Sequence, residues 1–171
     1  MRIVVPVKQV PESGGVRMDE ASGTVIRKNA DAVVNPLDLY AVECALRFKE
    51  KENAETIAIS MGPQNAEHAL REVLSMGIDS ALLVSDRAYA GSDTWATSNI
   101  LAEAIHYLGT FDLIICGERA TDGDTGQVGP EIAAALNLPM VGYVSEIRGC
   151  KDGILHIVHM AEDGCEELEI R

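Results

Sequence analysis

The run Cys116-Gly117-Glu118-Arg119-Ala120-Thr121-Asp122-Gly123-Asp124-Thr125-Gly126-Gln127-Val128-Gly129-Pro130 follows a strand-like apolar stretch, Phe111 to Ile115, and leads into an amphipathic helical pattern. A glycine-rich turn between a strand and a helix is where α/β proteins hold nucleotide phosphates. The first N–H groups of the helix point outward there, and the helix dipole favours negative charge. The expected phosphate cradle is the set of N–H groups around Thr125, Gly126, Gln127 and Val128, with the Thr125 hydroxyl. Gly117, Asp122 and Gly123 complete the loop. Asp122 and Asp124 would repel a phosphate, so they are expected to brace the loop or hydrogen-bond a ribose. The competing reading is a plain helix start, N-capped by Asp124 or Thr125.

A second helix start lies at Gly91-Ser92-Asp93-Thr94-Trp95-Ala96-Thr97. Thr94 and Thr97 are three apart and share one face of the first turn, and Gly91 lets backbone approach a ligand. The alternative is Asp93 as an ordinary N-cap with the threonines as surface filler. Asn35 and Asp38 fit an Asx-type turn that fixes entry into a helix. Lys8 and Arg87 are the candidate cations. His156 and His159 invite a metal reading, but residues three apart in a strand point to opposite faces and cannot chelate one ion without a bulge. No Ser/His/Asp or Cys/His spacing indicates nucleophilic catalysis.

Composition sets the bounds. The 171 residues are 47% hydrophobic and only 4% aromatic, so one domain, residues 1–171, is expected, its core built from aliphatic residues. A net charge of −13 argues against nucleic acid or an anionic membrane as partner. The four cysteines form no CxxC pair, as in a reducing compartment. No apolar run reaches the roughly 18 residues of a membrane span, and no secretory signal is visible, so a soluble, cytoplasmic chain is expected.

The elements that must position these residues alternate. Arg2 to Lys8, Glu55 to Ser60, Ser80 to Val84 and Phe111 to Cys116 read as apolar strands. Helical stripes follow them at Leu37, Ala41, Cys44, Ala45 and Phe48; at Ala66, Leu70, Val73 and Leu74; at Leu101, Ala104, Ile105 and Leu108; and at Val128, Ile132, Ala135 and Leu136. Pro63 is expected at the first position of the second helix, Gly77 and Gly109 just past the second and third. Val16 to Lys28 reads as a hairpin. Met140 to Ile147, Leu155 to His159 and Glu166 to Arg171 read as strands without helices between them, with a turn at Lys151-Asp152-Gly153. The fold class is therefore α/β: a parallel sheet with helices on both faces, a small N-terminal hairpin and C-terminal antiparallel strands. Ligand-binding loops gather at the carboxyl ends of parallel strands. Here they are Lys8 to Pro11, Ser60-Met61-Gly62, Ser85-Asp86-Arg87 and the Gly117 to Gly129 loop.

In these same segments the chain resembles the beta subunits of electron-transfer flavoproteins. The motifs are Val7-Lys8-Gln9-Val10-Pro11, Gly23-Thr24-Val25-Ile26-Arg27, Asn35-Pro36-Leu37-Asp38-Leu39-Tyr40-Ala41, Ser60-Met61-Gly62-Pro63, Ala69-Leu70-Arg71-Glu72, Ser85-Asp86-Arg87-Ala88, Asp93-Thr94-Trp95-Ala96-Thr97-Ser98 and Asp122 to Pro130. They occur in family order along nearly the whole chain. The resemblance implies a Rossmann-like, adenine-nucleotide-hydrolase-like sandwich whose beta chain binds AMP or, in the electron-bifurcating branch, a second FAD. The Ser85 to Ser98 run is similar to the bifurcating type, so FAD is the expected cofactor and AMP the alternative.

By the same resemblance, Thr94 and Thr97 face the FAD pyrophosphate, the Asn35-Pro36 turn meets adenine or ribose, and Ser60-Met61-Gly62 lines the adenine pocket through its backbone. The implied partners are an alpha subunit, an acyl-CoA dehydrogenase-like flavoenzyme, NADH as donor and a low-potential acceptor such as ferredoxin. Family beta chains continue into a C-terminal arm, whose signature Ile157 to Arg171 resembles only at its start; the chain is expected to lack that arm. Two positions depart from the pattern: His159 stands where Lys or Arg is usual, and Trp95 where a smaller apolar residue is common. The rival class is an ATP- or AMP-binding regulatory module of the universal-stress type, but the Gly117 to Gly129 loop lacks its compact glycine spacing.

Overall fold

An apolar run that buries both faces must sit inside a sheet covered on both sides. Ile3, Val4 and Val5 are each at most 1% exposed, as are Ala58, Ile59 and Ser60. The computed structural model describes residues 1–12, 16–18, 25–27 and 32–171. In chain order its elements are β1 (Arg2–Pro6), β2 (Gln9–Pro11), β3 (Val16–Met18), β4 (Val25–Arg27), β5 (Ala32–Val34), α1 (Asp38–Glu52), β6 (Glu55–Met61), α2 (Glu67–Met76), β7 (Ser80–Val84), α3 (Thr94–Tyr107), β8 (Leu113–Ile114), α4 (Val128–Ala135), β9 (Val144–Lys151), β10 (Ile154–Ala161) and β11 (Gly164–Ile170).

The four crossover-linked strands form one parallel sheet in the order β7-β6-β1-β8. Alternation along β1 sends Ile3 and Val5 into one core with Ala41, Val42, Ala45 and Phe48 of α1 and Ala69, Leu70 and Val73 of α2. Val4 turns the other way, joining Ile59 to Leu101 and Ile105 of α3 and Ile132 of α4. Two helices thus cover each face. β8 is the shortest strand of this sheet. It lies at the edge against β1 alone, and only two backbone bonds, Asp112 N–H to the Arg2 carbonyl at 2.9 Å and Ile115 N–H to the Val4 carbonyl at 3.0 Å, extend its pairing.

Beyond this sheet, β9, β10 and β11 form an antiparallel meander with β10 in the centre. Its Ile147, Cys150 and Leu155 pack onto the α1 and α2 side of the core. Asp152 and Gly153 have φ of 53° and 75°, the left-handed pair that a two-residue hairpin turn requires. Among the described residues no helix is long and apolar enough to cross a membrane.

Three local expectations are corrected. Lys8 to Pro11 is not simply a loop, because Gln9–Pro11 pairs antiparallel with Ala32–Val34 and continues the chain beyond β1. Pro63 is extended (φ −66°, ψ 167°) and precedes a 3-10 turn at Gln64–Ala66, so α2 begins only at Glu67. Leu74 is 37% exposed, and Ala69 takes its place on the buried face. The strands of the N-terminal hairpin pair as expected, Val16 with Arg27 and Met18 with Val25, while its Glu20 to Gly23 turn lies outside the described residues.

Candidate functional site

The order β7-β6-β1-β8 reverses direction beside β1, and a crevice opens at such a switch point beyond the carboxyl ends of the strands. Val7 and Lys8 leave β1 at this point, and Gly117 follows β8. Asp38, in the first turn of α1, fills the gap between them and accepts the Lys8 backbone N–H at 2.7 Å. Gly117 is there for want of space. A Cβ would collide with the Asp38 carboxylate and lie 2.9 Å from the Leu37 carbonyl oxygen.

Burial pushes the Asp38 carboxyl up to about 6, against the hydrogen bonds from Asn35 and from the Lys8 N–H and the Lys8 charge, which pull it down. Burial, with the Asp38 charge adding to it, pushes the neighbouring Cys116 thiol up to about 12, which leaves it protonated and a poor nucleophile.

Asn35 is fully buried and spends its side chain on the glycine-rich loop. Its Nδ2 donates to the Arg119 carbonyl at 2.9 Å, and its Oδ1 accepts the Thr121 N–H at 3.1 Å. The turn into α1 is closed by backbone, Asp38 N–H to the Asn35 carbonyl at 2.9 Å, rather than by an Asx side chain. Both loop aspartates are turned onto cations. Lys8 Nζ donates to the two Asp122 oxygens at 2.7 and 2.8 Å, and Arg119 Nε lies 2.6 Å from Asp124 Oδ1. Gly126 stands at φ 64°, and Gly123 has open space around it.

The N-cap on α4 by Asp124 or Thr125, the competing reading of this loop, is not there. Gln127 precedes the helix and no side chain caps it; Asp124 is instead left-handed (φ 53°), its N–H bonded to the Ala120 carbonyl at 2.8 Å. The first turn of α4 therefore offers backbone N–H groups that no side chain satisfies. Gly129 lets that turn rest on Cys116, with a Cβ position 3.4 Å from the cysteine Cβ.

At α3, Asp93 is the N-cap, accepting the Ala96 N–H at 2.8 Å, and Gly91 has φ 82°. Thr94 hydroxyl lies 3.2 Å from Gln127 Oε1 and 3.1 Å from Glu131 Oε1, which ties this helix start to that of α4. Thr97 is not part of that link; Ser98, one turn on from Thr94, is, its hydroxyl lying 2.8 Å from Glu131 Oε2 and 2.6 Å from the Thr94 carbonyl. Sequence reading missed Ser98 and Glu131. The available signals were the one-turn spacing from Thr94 and a carboxylate in the first turn of a helix.

Ser60 lies one residue before the end of β6, beside Met61 and Gly62. Its hydroxyl is buried and has no hydrogen-bond partner among the described residues, a polar group left for something else to satisfy. Arg87 is exposed on the rim after β7. A concavity of about 610 Å³ lies elsewhere, lined by Glu52, Arg148, Cys150, His156 and Glu167, and contains none of the predicted nucleotide-binding residues.

Comparison with known proteins decides the family. The model of the electron transfer flavoprotein domain matches residues 22–170. The chain belongs to the electron transfer flavoprotein family. It is 46% identical over 173 residues to the electron transfer flavoprotein subunit beta of Thermoanaerobacterium thermosaccharolyticum, covering 100% of this chain and 65% of the relative. It is also 46% identical over 173 residues to the caffeyl-CoA reductase-Etf complex subunit CarD of Acetobacterium woodii, with the same coverage. Protein FixA of Azotobacter vinelandii is 47% identical over 174 residues, 99% of this chain and 62% of that one. This electron transfer flavoprotein chain thus spans 62 to 65% of the length of these curated relatives.

Proposed function

We propose that the chain is the beta subunit of a heterodimeric electron-transfer flavoprotein, working in the cytoplasm and holding an adenine nucleotide at the switch-point crevice. The observation that carries this is the uncapped start of α4, with Asp122 and Asp124 paired to Lys8 and Arg119 rather than capping it. N–H groups of Thr125 to Val128 hold the nucleotide phosphate. Ser60, Met61 and Gly62 receive the adenine, the Ser60 hydroxyl gaining the partner it lacks. Asn35 acts on the nucleotide through the loop it pins at Arg119 and Thr121.

FAD is the proposed cofactor and AMP the alternative. FAD places a second phosphate against Thr94 and Thr97 at the start of α3, and the similarity of Ser85 to Ser98 to the bifurcating type favours it. When bound, FAD supplies the redox chemistry, with NADH as donor and ferredoxin as low-potential acceptor. The protein orients the flavin and tunes it through nearby charge and hydrogen bonds. An alpha subunit is the direct partner. Through it the chain serves an acyl-CoA-type flavoenzyme, a reading supported by the reductases in the names of two relatives, the caffeyl-CoA complex subunit and an acryloyl-CoA reductase electron transfer subunit. Family membership removes the ground for a universal-stress module.

The test is to denature the purified alpha–beta complex and identify the released cofactors by absorbance and chromatography. Two FAD per heterodimer supports the full reading. One FAD with one AMP removes the FAD assignment and leaves the nucleotide site. A complex with no nucleotide beyond the alpha-subunit FAD overturns the phosphate cradle.

A further inference from the structure

Two helix starts meet at one carboxylate. Glu131, in the first turn of α4, reaches across to α3, where its Oε2 lies 2.8 Å from the Ser98 hydroxyl and its Oε1 lies 3.1 Å from that of Thr94. Those two residues are one turn apart on α3, so a single planar carboxylate spans both. Ser98 is completely buried, while Thr94 is half-buried at the rim.

A hydroxyl has one proton to give. Thr94 has two acceptors in reach, Gln127 Oε1 and Glu131 Oε1, and Ser98 has three, the Thr94 and Val128 carbonyls and Glu131 Oε2. For Ser98 the Thr94 carbonyl lies at 2.6 Å, Glu131 Oε2 at 2.8 Å and the Val128 carbonyl at 3.4 Å, and of these only the Glu131 contact joins α3 to a side chain of α4. The two bonds differ in what can replace them. A phosphate arriving at the α3 start can take the Thr94 proton away from Glu131. It cannot reach the buried Ser98, so that link stays whole as the other is exchanged.

We propose that Glu131 is the positioning residue of the nucleotide site: its bond to Ser98 sets the gap between the starts of α3 and α4, and its bond to Thr94 parks that hydroxyl until a phosphate claims it. This rests on the reading above, in which a mononucleotide phosphate uses the α4 start alone and a dinucleotide pyrophosphate uses both. The consequence is selective. Losing the spacer harms a ligand that must span both starts and spares one that needs only one.

The natural chain, with any subunit that co-purifies, is stripped of nucleotide and titrated separately with AMP and with FAD, following FAD by its fluorescence. E131A is expected to weaken FAD by about tenfold or more, the scale of one lost charge-assisted hydrogen bond, and AMP by less than about threefold. E131Q, which keeps an acceptor for Ser98, is expected to restore most of the FAD affinity. S98A removes a single oxygen and covers the case in which E131A does not fold; it is expected to lower the FAD-to-AMP affinity ratio as E131A does. An unchanged ratio in E131A or S98A, or equal weakening of both ligands, overturns the positioning role alone. Wild-type protein that binds neither AMP nor FAD overturns the nucleotide site and the positioning role together.

Discussion

Gly117 and Asp38 show how one residue can be dictated by another far along the chain. Adding only a methyl group in Gly117→Ala forces the Asp38 carboxylate or the α1 start to move. A loss of about 1–3 kcal/mol is expected in urea unfolding, the usual cost of overpacking. Asp38 itself predicts a pH effect of unusual sign. Its carboxyl titrates at about 6 in the folded chain against about 3.9 unfolded, so the native state binds the extra proton between those values. The group's contribution to stability is fully present below pH ~3.9 and is lost as pH rises through 6, by up to about 3 kcal/mol. Asp79, held below its usual range first by its hydrogen bond from Lys49, adds a pH dependence of the opposite sign. The useful measurement is therefore the difference between wild type and Asp38→Asn. Wild-type stability relative to D38N should fall between pH 4 and 7; a flat or rising difference would show that Asp38 is not held protonated by its burial.

At the scale of elements, caps and stripes did most of the placing. Asp93 caps α3 with one hydrogen bond, so Asp93→Ala should cost about 1 kcal/mol. Ile105, fully buried on the inner face of the same helix, should cost about 2–5 kcal/mol as alanine. Comparing urea midpoints of the two variants checks that ordering. The same elements mark how far the sequence could be read. Helices α1 to α4 are visible as stripes of Ala41 and Ala45, of Leu70 and Val73, of Leu101 and Ile105, and of Val128 and Ile132, because 3.6-residue periodicity is a local property. The short strand Gln9–Pro11 is not visible, because its partner Ala32–Val34 supplies its ladder from more than twenty residues away. The absent cap on α4 is likewise a tertiary result. Asp124 has the right chemistry and nearly the right place, but Arg119 holds its carboxylate instead.

Across the whole molecule, the switch in strand order brings four separate segments to one rim: the end of β1, the Asn35 turn, the end of β6 and the Gly117 to Gly129 loop. A site shared by several elements couples ligand binding to global stability, since a ligand that binds only the folded state stabilises it by mass action. Saturating AMP or FAD at ~100 times its dissociation constant should therefore add about 2.7 kcal/mol and raise the thermal midpoint. Replacing Thr94 and Thr97 together by valine should reduce that shift for FAD more than for AMP. At the same ligand concentrations, an equal reduction would remove the selective role of the two threonines for FAD, and an unchanged shift would place both ligands away from the α3 start.

What the sequence by itself determined is the alternation of apolar strands and striped helices, the Asp93 cap, the tight turn at Asp152-Gly153 and the family motifs at the loops. Each depends on residues within a turn or two of one another, so local chemistry suffices. Only the tertiary structure decided what the polar side chains do. Asn35 pins Arg119 and Thr121, Lys8 holds Asp122, and Ser98 and Glu131 became neighbours through helix packing. Hydrogen-bond partners more than thirty residues apart have no period in the sequence. They are chosen by which groups the packed sheet and helices leave within hydrogen-bond reach of each other.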